Sequence, residues 1–347
     1  MIILSNCLTD KTDEGCLKLA NSLIKRIKRA KPETTIVSYG ESELPGDVNL
    51  KVNKMMINLR LFWLLWRKKE PVLYIPAVAK AHTMATRVFV LSLFARRGLC
   101  VIQVMQYQTG KIPRLLLKLS RARLIMFSSD SWRYYDTMLN GQADYLRTGV
   151  DTEKFHPVSE EKKQELRAKY SISQEKKIVL HVGHMRTGRN IEKLALLSAP
   201  LHGLVVSSSY AAETQDNALR QRLSENSNIT VIDTYLSNIE EIYQLADVYL
   251  FPVVKSHSCI DTPLSALEAA ACNLPVVATP YGELKELIGK DGFYEICSFE
   301  PDYLNQLLWK ALEEKKCPRE NVLSYDWDRA VEKLIHMAET VKHKRKH

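Results

Sequence analysis

Short apolar runs alternate with stretches of helical periodicity along the whole chain. The runs predict buried strands, and the stretches between them predict helices. Strands are predicted at residues 1–5, 35–38, 72–75, 100–105, 124–128, 177–182, 204–207, 229–232, 248–251 and 275–278, and helices at 14–29, 83–96, 214–223 and 239–246. This alternation predicts an α/β fold in which helices cover both faces of parallel sheets. Ligands of such folds bind in the loops that follow the carboxyl ends of the strands.

A polar segment containing Gly and Pro at residues 148–158 is the predicted boundary between two domains. A chain of 347 residues is long enough for two domains of ordinary size. We predict an N-terminal domain over residues 1–150, a second domain over 151–325, and a C-terminal helix with a basic tail over 326–347. Each domain has the size and alternation of a doubly wound, Rossmann-like fold.

Charge is distributed unevenly between the two halves. The first 150 residues hold 24 Lys and Arg against 11 Asp and Glu, whereas the remaining residues hold 25 against 29. So basic a half indicates an anionic partner. No motif that reads nucleic acid accompanies the charge, so nucleic acid is not expected as a partner. An anionic membrane surface and an acceptor with a lipid phosphate explain the charge equally well.

The aromatic-rich segment at residues 59–69 has basic residues at its end. It fits an interfacial membrane helix, and it equally fits a core-packing helix with a charged end. The apolar stretch at 88–105 is interrupted by Arg96 and Arg97, so no membrane-spanning helix is expected. Residues 1–5 lack a basic leader and indicate a first strand rather than a signal peptide. A cytoplasmic location, peripheral at the inner face of the cell membrane, is therefore expected.

Isolated reactive side chains give weaker indications. The seven cysteines are scattered without a C-x-x-C pair, which favours buried reduced thiols over disulfides or a zinc site. No metal site is therefore expected. His82 is a candidate base, although a lone histidine is more often structural. His257 precedes the segment at Asp261 and could contact a ligand there, or it could equally be an exposed loop residue. The loop at 5–15 carries three acidic residues, which suit an acceptor cleft better than a phosphate site.

The segment around residues 260–279 carries the strongest local signal for a ligand site. Pro263 suits the first turn of a helix, where its missing N–H costs nothing. The following residues, Leu264 and Ser265, would then offer backbone N–H groups to a diphosphate. Glu268 would lie about one turn further on, within reach of ribose hydroxyls. From helix physics alone, a plain amphipathic helix capped by Asp261 or Thr262 is the better interpretation.

The loop at residues 182–190 directly follows a predicted strand. Gly183 and Gly188 permit a tight loop, and Arg186 and Arg189 can hold phosphate oxygens in bidentate fashion. A solvated basic loop is the alternative interpretation.

Three stretches, at residues 149–157, 182–190 and 263–279, resemble in order and spacing the motifs of the retaining GT-B glycosyltransferases of glycosyltransferase family 4. The likeness covers the C-terminal half. The chain departs from the family pattern at several positions. His184 stands where the family has a loop arginine, and Arg189 stands where it has a lysine. The first carboxylate of the family's Glu-x7-Glu pair falls on Ile260, with Asp261 next to it, whereas Glu268 is retained.

The resemblance implies a GT-B architecture, in which two doubly wound Rossmann-like domains face a cleft. It implies a retaining, hexosyltransferase-type enzyme that uses a nucleotide-diphosphate sugar without a metal or cofactor. A glycolipid or a cell-envelope polysaccharide is the expected acceptor. The implied catalytic residues are Asp261, His184 and Arg189, and the implied donor-binding residues are Gly183, Arg186, Arg189, Tyr235, Pro263, Leu264, Ser265 and Glu268.

Two other functions share these features. A non-catalytic, nucleotide-sugar-binding partner subunit of a glycosyltransferase complex would tolerate the altered loop arginine and the missing first Glu. A GT-B-type epimerase shares the fold but lacks the inter-domain segment at 149–157.

Overall fold

The computed structural model describes residues 1–10, 15–40, 42–76, 81–103, 110–207 and 216–341. The chain forms two compact units. The first comprises Met1–Thr148 and Trp327–His347, and the second comprises Gly149–Asp326. Parts of the predicted elements at 14–29, 100–105 and 214–223, part of the acidic loop at 5–15 and the basic tail at 342–347 lie outside the described residues.

The first unit is built on a seven-stranded parallel sheet with the order β3-β2-β1-β4-β5-β6-β7. In chain order, the elements are β1 (Ile2–Ser5), α1 (Gly15–Ala30), β2 (Thr35–Tyr39), β3 (Val48–Leu50), α2 (Leu59–Lys68), β4 (Val72–Ile75), α3 (Ala81–Phe94), β5 (Leu99–Gln103), α4 (Lys111–Ser120), β6 (Arg123–Met126), α5 (Ser129–Leu139) and β7 (Ala143–Tyr145). All residues of β1, β4 and β5 are buried, as expected for central strands covered on both faces.

The second unit contains a six-stranded parallel sheet with the order β10-β9-β8-β11-β12-β13. Its elements are α6 (Glu160–Lys169), β8 (Lys177–Val182), β9 (Leu201–Val206), α7 (Asn217–Ser224), β10 (Ile229–Ile232), α8 (Ile239–Leu245), β11 (Val248–Phe251), α9 (Leu264–Ala271), β12 (Val276–Ala278), β13 (Phe293–Glu295), α10 (Pro301–Glu313) and α11 (Arg319–Val322). Short 3-10 helices cover Thr187–Arg189, Ile191–Leu196, Gly282–Glu286 and Leu323–Tyr325.

The last helix, α12 (Trp327–Thr340), belongs to the first unit. It packs against α1, where the guanidinium of Arg29 lies 2.9 Å from the Asp328 carboxylate. No helix among the residues that the structure describes is long and apolar enough to cross a membrane.

The predicted α/β fold with two doubly wound parallel sheets is confirmed. The strands β3, β7 and β13 are not predicted from the sequence; they lie at sheet edges and have three residues each. So few residues show no periodicity. In both sheets the strand order reverses, between β1 and β4 and between β8 and β11. In open α/β sheets such a reversal leaves a crevice beyond the carboxyl ends of the two strands.

A buried group of charges fastens α6 to the sheet of the second unit. The Asp247 carboxylate lies 2.6 Å from the Arg167 guanidinium and 2.7 Å from the Lys163 ammonium. The backbone N–H of Ile178 donates to the same carboxylate. Burial opposes the charge, but the two cations and this N–H outweigh it and hold the pKa of Asp247 below its usual value. The carboxylate therefore stabilises the fold only while it is ionised.

We predict that Asp247→Asn lowers the free energy of unfolding by about 3 kcal/mol at neutral pH, because the buried Arg167 and the partly buried Lys163 lose their counter-charge. The lowered pKa means that the contribution of Asp247 is complete above about pH 4 and fades as the pH falls through the folded-state pKa. Urea unfolding at several pH values measures it. Asp291→Asn, at an exposed carboxylate of the same unit, is the matched control and should change stability by less than about 0.5 kcal/mol. An equal effect of the two substitutions would contradict the assignment.

Candidate functional site

Two loops of the second unit leave neighbouring central strands where the strand order reverses. β8 ends at Val182 and continues into residues 183–186 and the 3-10 helix Thr187–Arg189. β11 ends at Phe251 and continues through residues 252–263 into α9. β8 and β11 are paired and parallel, so both loops begin at the same edge of the sheet. The predicted loop and the predicted helix start are thereby brought together.

Arg189 joins the two loops. Its side chain is buried, and Nε donates a hydrogen bond of 3.0 Å to the carbonyl oxygen of Ser258. The guanidinium lies against the backbone of Gly183, where a Cβ would overlap its Nη1 atom. Gly188 is also closely packed, since a Cβ there would lie 2.7 Å from Ser258 Oγ. The two glycines are needed for close approach, in addition to the tight loop that the sequence predicts.

Tyr249 ties the end of β8 to the first turn of α9. Its hydroxyl oxygen lies 2.7 Å from Ser265 Oγ and 3.3 Å from the carbonyl oxygen of Val182. Inside α9, Ala266 and Leu267 are the first residues whose N–H groups bond to the Pro263 carbonyl. The N–H groups of Leu264 and Ser265 directly precede them in the first turn, at the end of the helix that carries a partial positive charge. This end therefore suits an anion.

Glu268 is a buried carboxylate in the second turn of α9. The hydroxyl of Tyr243 donates to Glu268 Oε2 at 3.0 Å. Burial, together with the Glu268 charge, holds the pKa of Tyr243 well above its usual value, so the hydroxyl keeps its proton and remains a donor. The Glu268 carboxylate is thus held in its orientation by Tyr243, a side chain of α8.

A tight turn in a neighbouring segment fixes the backbone at Asp261. The N–H of Glu283 donates to the carbonyl oxygen of Asp261 at 2.8 Å. Gly282 has φ +51°, and a Cβ at this position would overlap the same carbonyl oxygen. Asp261 and Ile260 are both buried. Glu283, which the sequence analysis missed, is fully buried and accepts a hydrogen bond from the Tyr325 hydroxyl.

The remaining predicted residues differ in exposure. His184 is buried, Arg186 is exposed, and Tyr235 is 51% exposed beyond the end of edge strand β10. His257 is exposed with φ +65°, and His82 is exposed near the start of α3 in the first unit.

Tyr243, Tyr249 and His181 are likewise not predicted from the sequence as residues of the site. A signal was present, because each places a polar atom within an otherwise apolar strand or helix face.

All seven cysteines lie within the described residues and are reduced thiols. Cys297 and Cys317 are exposed, so the expectation of buried thiols is wrong for these two. Within the described ranges, the structure contains no group of three His, Cys, Asp or Glu side chains that could hold a metal ion.

His181 lies beneath the loop that follows β8 and is fully buried. Its Nδ1 is 2.9 Å from the carbonyl oxygen of Leu250, which assigns the proton to Nδ1. Burial lowers the pKa of His181 to about 4, with the nearby Arg189 charge acting in the same direction and the Leu250 carbonyl opposing it. The imidazole is therefore neutral when the protein is folded at neutral pH.

Residues 176–313 match the family model described as Glycosyl transferases group 1. The matched residues lie within the second unit, in the half of the chain that carries the sequence resemblance. EpsD of Bacillus subtilis (strain 168), whose name places it provisionally among the glycosyltransferases, is 29% identical over 197 residues. The match covers 49% of this chain and 50% of EpsD, so the chain spans about half the length of this curated relative.

Two solved structures are similar over nearly the whole chain. Anabaena HepE, in a crystal structure with UDP, has a TM-score of 0.76 at 12% identity and covers 98% of this chain and 99% of its own. WaaG, described as a glycosyltransferase involved in lipopolysaccharide biosynthesis, has a TM-score of 0.65 at 17% identity and covers 98% of this chain and 100% of its own. At such identity the likeness concerns the fold, and the α/β fold of the GT-B type is confirmed.

We predict that, because of His181, the free energy of unfolding decreases as the pH is lowered through the mildly acidic range. The lowered pKa means that its contribution is complete above the unfolded-state pKa of about 6.5 and is lost progressively as the pH falls to about 4. The loss amounts to about 3 kcal/mol. Urea unfolding of the wild type and of His181→Gln measures it, and the variant should show a shallower pH dependence in this window. His156→Gln, at an exposed histidine of the same unit, should keep the wild-type slope, and equal slopes in all three proteins would refute the prediction.

Proposed function

We propose that the protein transfers a hexosyl unit from a nucleotide-diphosphate sugar, with retention at the anomeric carbon, to a glycolipid or cell-envelope polysaccharide. One observation carries the proposal: a buried arginine, a helix start and a buried carboxylate meet at the reversal between β8 and β11. Cationic and N–H donors suit the diphosphate, and a carboxylate suits ribose hydroxyls. The Glycosyl transferases group 1 match over the same residues supports the reaction class.

Each group has a distinct role in the proposed donor site. Arg189 and the N–H groups of Leu264 and Ser265 stabilise the negative charge that develops on the leaving diphosphate. Glu268 accepts hydrogen bonds from the ribose. Arg186 and His184 add further donors beside the diphosphate, Gly183 lets the loop approach it, and Pro263 and Tyr235 complete the donor-binding set.

The donor is proposed to carry uridine. HepE, which shares the fold, is described in complexes with UDP and with UDP-glucose, and this supports a uridine nucleotide here. The reaction needs no cofactor in this proposal, because the cationic groups of the site take the part that a metal ion would otherwise have on the diphosphate.

The acceptor is proposed to be lipid-linked or part of the cell envelope, and the protein to act in the cytoplasm at the inner face of the membrane. Support comes from the basic first half of the chain and from the fold shared with WaaG, which is described as acting in lipopolysaccharide biosynthesis.

We predict that Glu268→Gln and Arg189→Ala each weaken UDP binding by about 1.5–3 kcal/mol, because each removes a hydrogen bond to a charged group. Isothermal titration measures the affinity, and thermal unfolding without ligand checks the fold. Arg222→Ala and Glu225→Ala, at exposed positions at the end of α7, are the matched controls and should bind UDP normally. Unchanged affinity in both site variants, with the fold intact, would remove the donor assignment.

We predict that Asp261→Asn lowers turnover by about tenfold or more but changes donor affinity by less than about threefold. The reason is that Asp261 is proposed to contact the sugar in the transition state, in place of the carboxylate that the family has at Ile260. Steady-state turnover with UDP-hexoses, together with UDP titration, separates the two effects. Asp302→Asn, at an exposed position on α10, is the control. Full activity of Asp261→Asn would show that another residue contacts the sugar in the transition state. If the wild type binds UDP but shows no turnover, the result favours the non-catalytic partner subunit.

A further inference from the structure

Large apolar side chains are exposed mainly in the first unit. Among the described residues, all but two of the large apolar side chains with high exposure belong to this unit, the exceptions being Tyr235 and Val254. Seven of them lie on three helices: Leu59, Trp63 and Trp66 on α2, Leu93 on α3, and Ile112, Leu115 and Leu119 on α4. Trp63 is 56% and Trp66 is 55% exposed, so the core-packing interpretation of this segment is wrong for its tryptophans.

The three helices form one layer on one side of the sheet. α2 connects β3 to β4, α3 connects β4 to β5, and α4 connects β5 to β6. All three connections move in the same direction across the sheet, and right-handed crossovers that do so place their helices on the same face. The rings of Phe62 on α2 and Phe94 on α3 stack with their centroids 3.9 Å apart. α3 in turn packs along α4. We call the outer surface of α2, α3 and α4 the α2–α4 face.

The α2–α4 face has one sign of charge. The three helices contain no Asp or Glu, and their basic residues are Arg60, Arg67, Lys68, Arg87, Lys111, Arg114 and Lys118. The guanidinium of Arg67 lies 4.8 Å from the centre of the Trp63 ring, and that of Arg96 lies 5.2 Å from the centre of the Trp66 ring. Apolar and cationic groups are therefore intermixed on the same surface.

This combination fits one kind of partner. A basic face that is merely solvated does not explain the exposed tryptophan and leucine side chains, because apolar surface in contact with water is unfavourable. A second copy of the chain would bring like charges together across the interface, which costs free energy. An anionic lipid surface accepts both parts, because leucine and tryptophan enter the boundary between headgroups and acyl chains while cations meet the phosphates.

We propose that the α2–α4 face docks on an anionic lipid bilayer, with the leucine, isoleucine and tryptophan side chains of α2, α3 and α4 inserted at the level of the headgroups. The proposal rests on the proposed function only for its biological reason, a lipid-linked acceptor, because the residues that carry it lie outside the donor site. Docking through this face holds the first unit at the surface where such an acceptor is found.

Vesicle co-sedimentation of the full chain tests the proposal. We expect binding to vesicles of phosphatidylglycerol and phosphatidylcholine in equal parts and none to phosphatidylcholine alone. Raising the salt from about 0.1 M to about 1 M shortens the Debye length from about 10 Å to about 3 Å and should release the protein. The emission of Trp63 and Trp66 should shift to shorter wavelength on binding, and Trp63→Phe with Trp66→Phe should remove that shift.

Charge-matched variants locate the surface. Arg60→Gln, Lys111→Gln and Arg114→Gln together should lower the affinity for the anionic vesicles about a hundredfold, since each basic residue near such a surface contributes roughly a factor of five. Lys162→Gln, Lys290→Gln and Lys310→Gln remove the same charge from exposed positions of the second unit and should leave binding unchanged. An apolar variant, Trp63→Ala with Leu115→Ala, should also weaken binding.

Three results would overturn the proposal: equal binding to both kinds of vesicle, equal loss in the two charge variants, or a dimer in sedimentation velocity that the Trp63→Ala with Leu115→Ala variant dissociates. UDP titration of the same proteins distinguishes this failure from failure of the proposed function. Vesicle binding that is lost while UDP binding persists concerns the face alone, and the reverse result concerns the donor site alone.

Discussion

The contact between the guanidinium of Arg189 and the backbone of Gly183 is the constraint on which the arrangement of the site depends. The guanidinium occupies space that any side chain at position 183 would fill. From this position Arg189 reaches the carbonyl oxygen of Ser258 and so connects the loop after β8 with the loop after β11. Because β8 and β11 are neighbours at the reversal of the strand order, this one side chain contacts both loops. The loop after β11 leads into α9, whose first turn is held in addition by the hydrogen bond between Tyr249 and Ser265.

Beneath this contact, the polar atoms of the site are supported by tyrosines in the core. The Tyr249 hydroxyl lies within hydrogen-bonding distance of the Val182 carbonyl oxygen and of Ser265 Oγ, and the Tyr243 hydroxyl donates to the Glu268 carboxylate. Burial keeps the pKa of both tyrosines above the usual value, so both hydroxyls stay protonated over the physiological range. A buried carboxylate such as Glu268 is costly unless hydrogen bonds accompany it. The hydrogen bond from Tyr243 therefore helps α9 to hold this buried carboxyl group.

The sequence was sufficient for the fold class, because the central strands are continuous apolar runs and the helices between them are long. It was insufficient for the edge strands β3, β7 and β13, whose three residues carry no period. It also could not assign α12 to the first unit, because that packing depends on partners far away in the chain, such as Arg29 with Asp328.

The site shows the same division between local and distant information. Gly183, Arg189 and Glu268 are found from local motifs. Glu283 and Tyr325 could not be found, because they are brought together only by the folding of separate segments.

Charge acts on two different scales in this chain. Residues 151–347 hold 25 Lys and Arg against 29 Asp and Glu, so the half with the candidate donor site has no overall attraction for an anion. Its preference for a diphosphate must come from a few groups in fixed places, namely Arg189 and the first N–H groups of α9. The effect of the helix N–H groups falls off within about one turn of helix. The first half works in the opposite way. Seven of its cations lie on three helices without acidic residues, which suits an extended anionic surface and gives little selectivity for any single small ligand.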